Sequence, residues 1–299
     1  MKHKPPPDEI TAPHVVTFEA IMPASMAMLA EESGVKRAAT DPIIVLVLSV
    51  LAGAFISFGA IFATTVTAGV GLPYGVARLL TGLVFSAGLL MVIIAGAELF
   101  TGNNIIVMAW ASGKVKSRAL LLNWTLSFAG NFVGAILTAA LMFYTTQYTF
   151  GDGAVGLVAL NTANAKASLA FIPALTLGIM CNALVCLAVW MCFSARTNID
   201  RVVTAVPPIA AFAAAGFEHC IANIYFIPMG LFIKAGAPQS FWTAIGKTAS
   251  DFPELTWSNF FLANLLPVTI GNTIGGSIMI AAVYWFVYLR KSNVRIISR

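Results

Sequence analysis

The chain has 299 residues, 59% of them hydrophobic and 10% charged, with a mean hydropathy of +0.88. Soluble domains carry about 25% charged residues, so this composition excludes one and describes a polytopic membrane protein with room for about six spans of roughly 20 residues. The net charge of +5 is spread over loops and tails with no basic-aromatic cluster, which argues against a nucleic-acid partner.

Residues 1–16 are Pro-rich and polar, the composition of a flexible tail. Over 17–34, Phe18, Ile21, Met22, Met26 and Leu29 recur at helical spacing, with Glu19, Glu31 and Glu32 elsewhere. That pattern predicts an amphipathic helix lying on the cytoplasmic membrane surface; a movable plug beneath a pore is the sharper alternative. Residues 1–41 hold acids and bases but no apolar core segment, so no cleavable signal peptide is expected. Apolar stretches follow near 42–68, 73–112, 119–146, 168–194, 202–235 and 258–289. The expected organisation is a cytoplasmic tail over 1–41, a six-span channel domain over 42–290 and a second cytoplasmic tail over 291–299.

Basic residues orient the spans. One set of connections holds Lys2, Lys4, Lys36, Arg37, Lys114, Lys116, Arg118, Arg196, Arg201, Arg290, Lys291, Arg295 and Arg299, and the other only Arg78, Lys166, Lys234 and Lys247. The bias toward one side places both termini in the cytoplasm.

Two strings inside the apolar stretches match each other. They are Gly96-Ala-Glu-Leu-Phe-Thr-Gly-Asn103 and Gly216-Phe-Glu-His-Cys-Ile-Ala-Asn223, with Gly, Glu and Asn in common. The third spans match too: Asn123, Gly130, Asn131 and Gly134 against Asn264, Gly271, Asn272 and Gly275. Lys36 and Lys166 form a weaker pair before Pro42 and Pro173. Three crossings per repeat is an odd number, so the second repeat inserts upside down relative to the first. Such inverted repeats place the functional site near the midplane where the halves meet. The small-residue spacing of Gly130, Gly134, Gly271 and Gly275 reads as close helix packing. Gly96, Gly102 and Gly216, with Pro207 and Pro208, predict that the second and fifth spans are broken. Broken helices are tolerated only where protein or a water-lined cavity satisfies the freed backbone groups, and a helix N-terminus aimed inward suits an anion.

Several polar residues lie at that depth. His219 is the only histidine outside the N-terminal tail, and an imidazole at the midplane binds an anion or passes it a proton. Glu98 and Glu218 are the only acids placed within the membrane. If the substrate is an anion, they belong on the packed side, with Lys36 reaching Glu98 and Lys166 reaching Glu218. Thr101 offers a hydroxyl for the substrate or closes a helix end. Cys181, Cys186, Cys192 and Cys220 all fall in spans without CxxC spacing, the pattern of buried thiols rather than of a disulfide or metal site. No metal or other cofactor is expected.

The strings Ala95–Asn103 and Gly216–Asn223, with Pro267-Val-Thr-Ile-Gly-Asn272, resemble the signature stretches of the formate/nitrite transporter (FNT) family. The likeness runs from about Phe18 to about Arg290. Ile224-Tyr-Phe-Ile-Pro-Met-Gly230, Phe241–Gly246 and Leu29–Val35 are most similar to its formate channels. The resemblance implies an aquaporin-like protomer in a homopentamer, in the bacterial inner membrane, with one pore per protomer. It implies that His219 is a central histidine facing Thr101. It further implies that Leu89 and Phe85 form a cytoplasmic constriction, that Phe100, Val185 and Phe212 form a periplasmic one, and that Asn182 and Asn272 lie near the pore ends. Asn223 closes the second string as a supporting polar group.

The expected function is passage of a small monovalent anion, formate first, with protons as the coupled partner. Vestibule bases draw anions in, apolar slits oppose a bare charge, and a histidine that donates a proton lets the neutral acid cross. Nitrite, hydrosulfide and lactate are the alternatives within the class. A neutral-solute pore lacks its expected Asn-Pro-Ala strings here. A membrane enzyme lacks HExxH, paired aspartates or a Ser-His pair.

Overall fold

The computed structural model describes residues 19–69 and 71–290; the expectations for 1–16, Phe18 and 291–299 lie outside the described residues. Those residues form helices and turns, with no strand among them. In chain order the helices are α1 (Pro23–Ala39), α2 (Pro42–Val66), α3 (Tyr74–Ala95), α4 (100–111, with a tighter turn at its centre) and α5 (Ser117–Tyr144). There follow α6 (Ala154–Ala167), α7 (Phe171–Cys192), α8 (Asn198–Ala215), α9 (Cys220–Gly236), the short α10 (Gln239–Ile245) and the long α11 (Trp257–Tyr288). Five of these are long and apolar enough to cross a membrane, and α8 with α9, bent by 48°, makes a sixth span.

Local chemistry sets the helix ends. Asp41 accepts from the N–H groups of Ile43 and Ile44 at 2.9 and 3.2 Å, and Pro42 takes the first helical position of α2, where a missing N–H costs nothing. Gly96 and Gly216 end α3 and α8 at φ of 80° and 81°, a backbone region that side chains with a Cβ rarely adopt. After each break the chain turns back into a helix, α4 or α9. The second and fifth spans are therefore broken, as the sequence indicates.

The inverted repeat is visible in contacts. The backbone N–H of Glu98 reaches Leu48 O on α2 at 3.3 Å; that of Glu218 reaches Leu177 O on α7 at 3.4 Å. The breaks thus hang on equivalent helices of the two halves. α3 packs against α8 along the centre, α2 against α5, and α7 against α11. Gly134 lies against Val50 O and Gly275 against Ile179 O, so closely that neither site has room for a Cβ. In Gly134→Val, overpacking of this kind lowers stability by about 1–3 kcal/mol or more. Gly75, with open space around it, tolerates Ala. Thermal unfolding of the two detergent-purified variants checks the contrast.

Two features differ from the sequence reading. The amphipathic helix spans Pro23–Ala39 rather than 17–34, and it does not simply lie on the membrane. Met26, Ala27, Ala30 and Gly34 are buried against Ile105, Ile106, Met108 and Ala109 of α4, and Glu31 pairs with Lys114. The covered face is thus Met26 with the small residues Ala27, Ala30 and Gly34, while Met22 and Leu29 of the apolar stripe stay 70% and 37% exposed. The second difference is α6, which docks on α9 in the same way, with Ala163 against Gly230. α6 is the repeat counterpart of α1. Within α11, residues 260–265 and 275–282 widen to π-type hydrogen bonding. The first of these segments ends beside Pro267, which has no N–H to continue the regular ladder.

Candidate functional site

Each break is held by a matching polar cluster. At the first, Asn103 donates to Glu98 Oε2 at 2.6 Å and to Asn123 Oδ1 at 2.9 Å; at the second, Asn223 donates to Glu218 Oε2 at 2.6 Å and to Asn264 Oδ1 at 2.7 Å. A base completes each cluster: Arg37 Nη1 lies 3.0 Å from Glu98 Oε1, and Lys166 Nζ lies 2.8 Å from Glu218 Oε1. The carboxylates face packed side chains and are charge-matched, which is how a buried acid is tolerated.

The Lys166–Glu218 pair is as expected from the repeat, but the partner of Glu98 is Arg37 and not Lys36. Lys36 points outward to Glu32 at 2.8 Å and is 75% exposed. Adjacent helical positions lie about 100° apart, so only one of the two can face the break. Arg37 also donates to Asn103 Oδ1 at 2.6 Å, a second bond that a single ammonium at Lys166 does not make with Asn223.

Asn131 and Asn272 are a further matched pair. Asn131 accepts from Phe100 N at 2.9 Å and donates to Glu98 O and Ser49 O; Asn272 accepts from Cys220 N at 2.9 Å and donates to Glu218 O and Gly178 O. These bonds satisfy backbone groups that the broken helices leave open. Asn182 donates to Asn104 Oδ1 and Asn272 O at 2.8 and 2.7 Å. Both Asn182 and Asn272 are fully buried and line neither cavity. The expectation that they lie near the pore ends is thus corrected: they brace the breaks, because their amides are consumed by backbone and amide partners.

Between the breaks, Thr101 Oγ1 and His219 Nε2 meet at 3.0 Å, and both residues are buried. His219 is also the N-cap of α9, its Nδ1 accepting from Ala222 N at 3.1 Å. A ring nitrogen that accepts carries no hydrogen, so in the neutral ring the hydrogen is on Nε2. Nε2 then donates to Thr101, whose own hydroxyl hydrogen stays available for a passing acceptor. Thr64, Thr81 and Thr138 donate to carbonyls one turn back. Thr101 makes no such bond, so it does not merely close a helix end. Cys186 Sγ donates to Thr101 O at 3.2 Å. Thr101→Val keeps the volume and removes this hydroxyl. Loss of one such hydrogen bond is expected to lower anion flux by about tenfold, read as initial uptake into liposomes.

A cavity opens on each side of the pair. One, of about 270 Å³, is lined by Arg78, Phe85, Lys166, Phe212, His219 and Asn223, among others. The other, of about 230 Å³, is lined by Arg37, Leu89, Leu99, Asn103, Cys192 and Arg201, among others. Phe212 stacks beside the His219 ring at 6.0 Å and meets Phe85 edge-on at 5.7 Å. Phe85 therefore belongs with Phe212 on the Lys166 side, not with Leu89: one helical turn separates the two, enough to put them on opposite sides of the centre. Phe100 lines neither cavity. Its ring packs edge-on against Trp124 and Phe128 of α5, because the bond from its N–H to Asn131 draws the residue toward that helix. Val185 is buried in the core without lining either cavity. Leu99, Arg78 and Arg201 are lining residues that sequence reasoning passed over. Leu99 stands next to the singled-out Phe100, and Arg78 and Arg201 were counted only as loop charges. Among the described residues no group of three His, Cys, Asp or Glu is spaced for a metal ion, and the four cysteines are free.

Comparison with known proteins decides the relationship. The sequence profile described as formate/nitrite transporter matches residues 24–286. The chain belongs to the formate/nitrite transporter family. It is 44% identical to the formate channel FocA of Escherichia coli strain K12 over 277 residues, 92% of this chain and 97% of that one. It is 38% identical to FocA of Haemophilus influenzae over 262 residues, 87% and 92% of the two chains. Among solved structures it is similar to a pentameric formate channel with formate bound, at a TM-score of 0.79 and 43% identity over 83% of this chain and 98% of that one. It also resembles an FNT family ion channel, with a TM-score of 0.75 and 26% identity over 88% and 98% of the chains. These family members are channels and transporters by name, not enzymes.

Proposed function

We propose that this family member conducts a small monovalent anion, formate foremost, across the bacterial cytoplasmic membrane, and that His219 makes the flux depend on pH. The observation that carries the reading is the Thr101–His219 contact at 3.0 Å, buried between two cavities that each hold basic side chains. Arg78 and Lys166 on one side and Arg37 and Arg201 on the other raise the local anion concentration. Phe85 and Phe212, against Leu89 and Leu99, make the approaches to the centre apolar, which penalises a bare charge more than a neutral acid. At the centre the anion accepts from the Thr101 hydroxyl; a His219 ring that has first taken up a proton from solution gives that proton to the anion, which moves on as the uncharged acid and leaves the neutral ring behind. Protons are thus a transported partner. The two cavities within one protomer support passage through the protomer itself.

The names of the relatives support formate as the substrate and a homopentamer as the assembly. The charge bias of the connections supports a cytoplasmic Arg37 side with both tails cytoplasmic. The channel domain is 42–290, with α1 as its cytoplasmic wall: Ser33 and Arg37 line the cavity there. Uptake of formate, nitrite, hydrosulfide and lactate into liposomes holding the purified chain tests the substrate. Formate is expected to enter fastest; preference for hydrosulfide or lactate by tenfold or more refutes the assignment, and preference for nitrite moves it to the other named substrate of the family.

A further inference from the structure

We propose that Arg78 is a specificity-determining residue of the Lys166-side cavity, a fixed guanidinium fork that selects planar anions with two oxygen acceptors, such as carboxylates and nitrite. The inference rests on the transport reading above and adds to it a residue and a selection rule. Arg78 sits in the first turns of α3 and lines the cavity with Phe85, Phe212 and His219. Its Nε donates to Ala214 O at 2.9 Å, and Nη2 donates to Ala213 O. These carbonyls end α8 at the break, where a helix C-terminus carries partial negative charge; Ala213 O also accepts from Gly216 N at 3.2 Å. One edge of the guanidinium is therefore bolted to backbone. Gly216 permits this approach: a Cβ there would stand 3.2 Å from Nη2.

The rest of the group is uncommitted. A guanidinium has five N–H donors in a planar fork, and Arg78 spends two of them on protein acceptors among the described residues. It forms no ion pair among them either. Lys166, the other base of the cavity, is matched to Glu218 at 2.8 Å and lies over the Phe226 ring. The unmatched positive charge of this cavity thus belongs to Arg78. A half-buried, oriented fork offers parallel donors to a carboxylate or nitrite, a geometry that an ammonium does not reproduce. Hydrosulfide presents a single acceptor atom and cannot use it. On the opposite side Arg201 makes only a 3.4 Å contact with Asn198 and caps no broken helix. The two mouths therefore differ: on one side a guanidinium without a carboxylate partner is fixed to backbone, and on the other the fixed guanidinium, Arg37, is already matched to Glu98.

The test is sided conductance in planar bilayers, wild type against Arg78→Lys, with formate or hydrosulfide added from one side at a time. Arg78→Lys is expected to raise the half-saturating formate concentration about tenfold from the Lys166 side, the loss of one charge-assisted hydrogen bond. From the Arg37 side it leaves it unchanged, and it moves hydrosulfide less than formate. An equal change from both sides or for both anions would reduce Arg78 to a helix cap, and no change would remove it from the pathway. Should wild type carry no formate, the transport reading fails on that arm alone, and nitrite takes the place of formate in the Arg78 comparison. If the variant does not assemble, wild type treated from the Lys166 side with an arginine-selective dicarbonyl reagent answers instead. Saturating formate is expected to protect conductance at least threefold; absence of protection overturns the proposal.

Discussion

In the His219→Phe variant, formate flux is expected to lose its dependence on pH, measured across roughly pH 5 to 8. Phe is close in size to the imidazole and preserves the packing beside Phe212, whose ring lies 6.0 Å from that of His219. It removes the only imidazole outside the N-terminal tail. The charged side chains lining the same cavity are Arg78 and Lys166, the latter paired with Glu218 behind it. The substitution also removes the cap on α9, worth about 1 kcal/mol. His219→Asn separates the two effects, since Asn restores an acceptor for Ala222 N without restoring titration. Both variants are expected to give the same flux at either end of the interval, measured as initial uptake of labelled formate. A pH profile in His219→Asn that matches wild type would remove the histidine from the mechanism.

The second large effect concerns the supports of the breaks. Lys166→Met leaves Glu218 buried without its cation, and removing one partner of a buried pair costs about 3–5 kcal/mol. The side chains of this pair are 17% and 5% exposed, so water does little to compensate. Arg37→Met is expected to cost less, because a third of the Arg37 side chain faces solvent. Lys36→Met, at the neighbouring position, is expected to stay within about 0.5 kcal/mol. In the double variant Lys166→Met/Glu218→Gln much of the stability returns, since Gln keeps an acceptor for Asn223 and Asn264 and carries no charge. Thermal unfolding of the detergent-purified chains at neutral pH reads all four. A Lys36→Met loss as large as that of Lys166→Met would contradict the observed pairing.

The order of effects shows what the sequence makes legible. The breaks are readable because their causes are local: Gly96 and Gly216 supply the left-handed backbone, and an acid in an apolar stretch has few uses. The inverted repeat is readable because Asn131 and Asn272 do the same work in both halves and so keep the same spacing. The Lys166–Glu218 pair follows from that symmetry. Its counterpart slips by one residue because the choice between Lys36 and Arg37 depends on how α1 is rotated on α4, a packing fact that no pattern in α1 encodes. Phe85 and Leu89 share a helix face, and only the position of the Thr101–His219 pair between them decides which cavity each lines. Phe100 stands beside Thr101 in the sequence and yet turns to α5, since a short helix carries neighbours to different faces. α6 escaped notice because Ala and Gly, which allow it to dock closely on α9, give no apolar periodicity. It was reachable by another route: a repeat that begins with α1 requires a partner for it.

The central claim is that formate crosses this membrane protein through a centre whose proton state sets the rate. Formate uptake by purified wild-type chain in liposomes, measured across roughly pH 5 to 8, tests it most directly. The account predicts uptake well above that of protein-free liposomes, with a pH profile that the His219 variants lack. Uptake no faster than in protein-free liposomes, or a rate that is flat with pH in wild type, would contradict it.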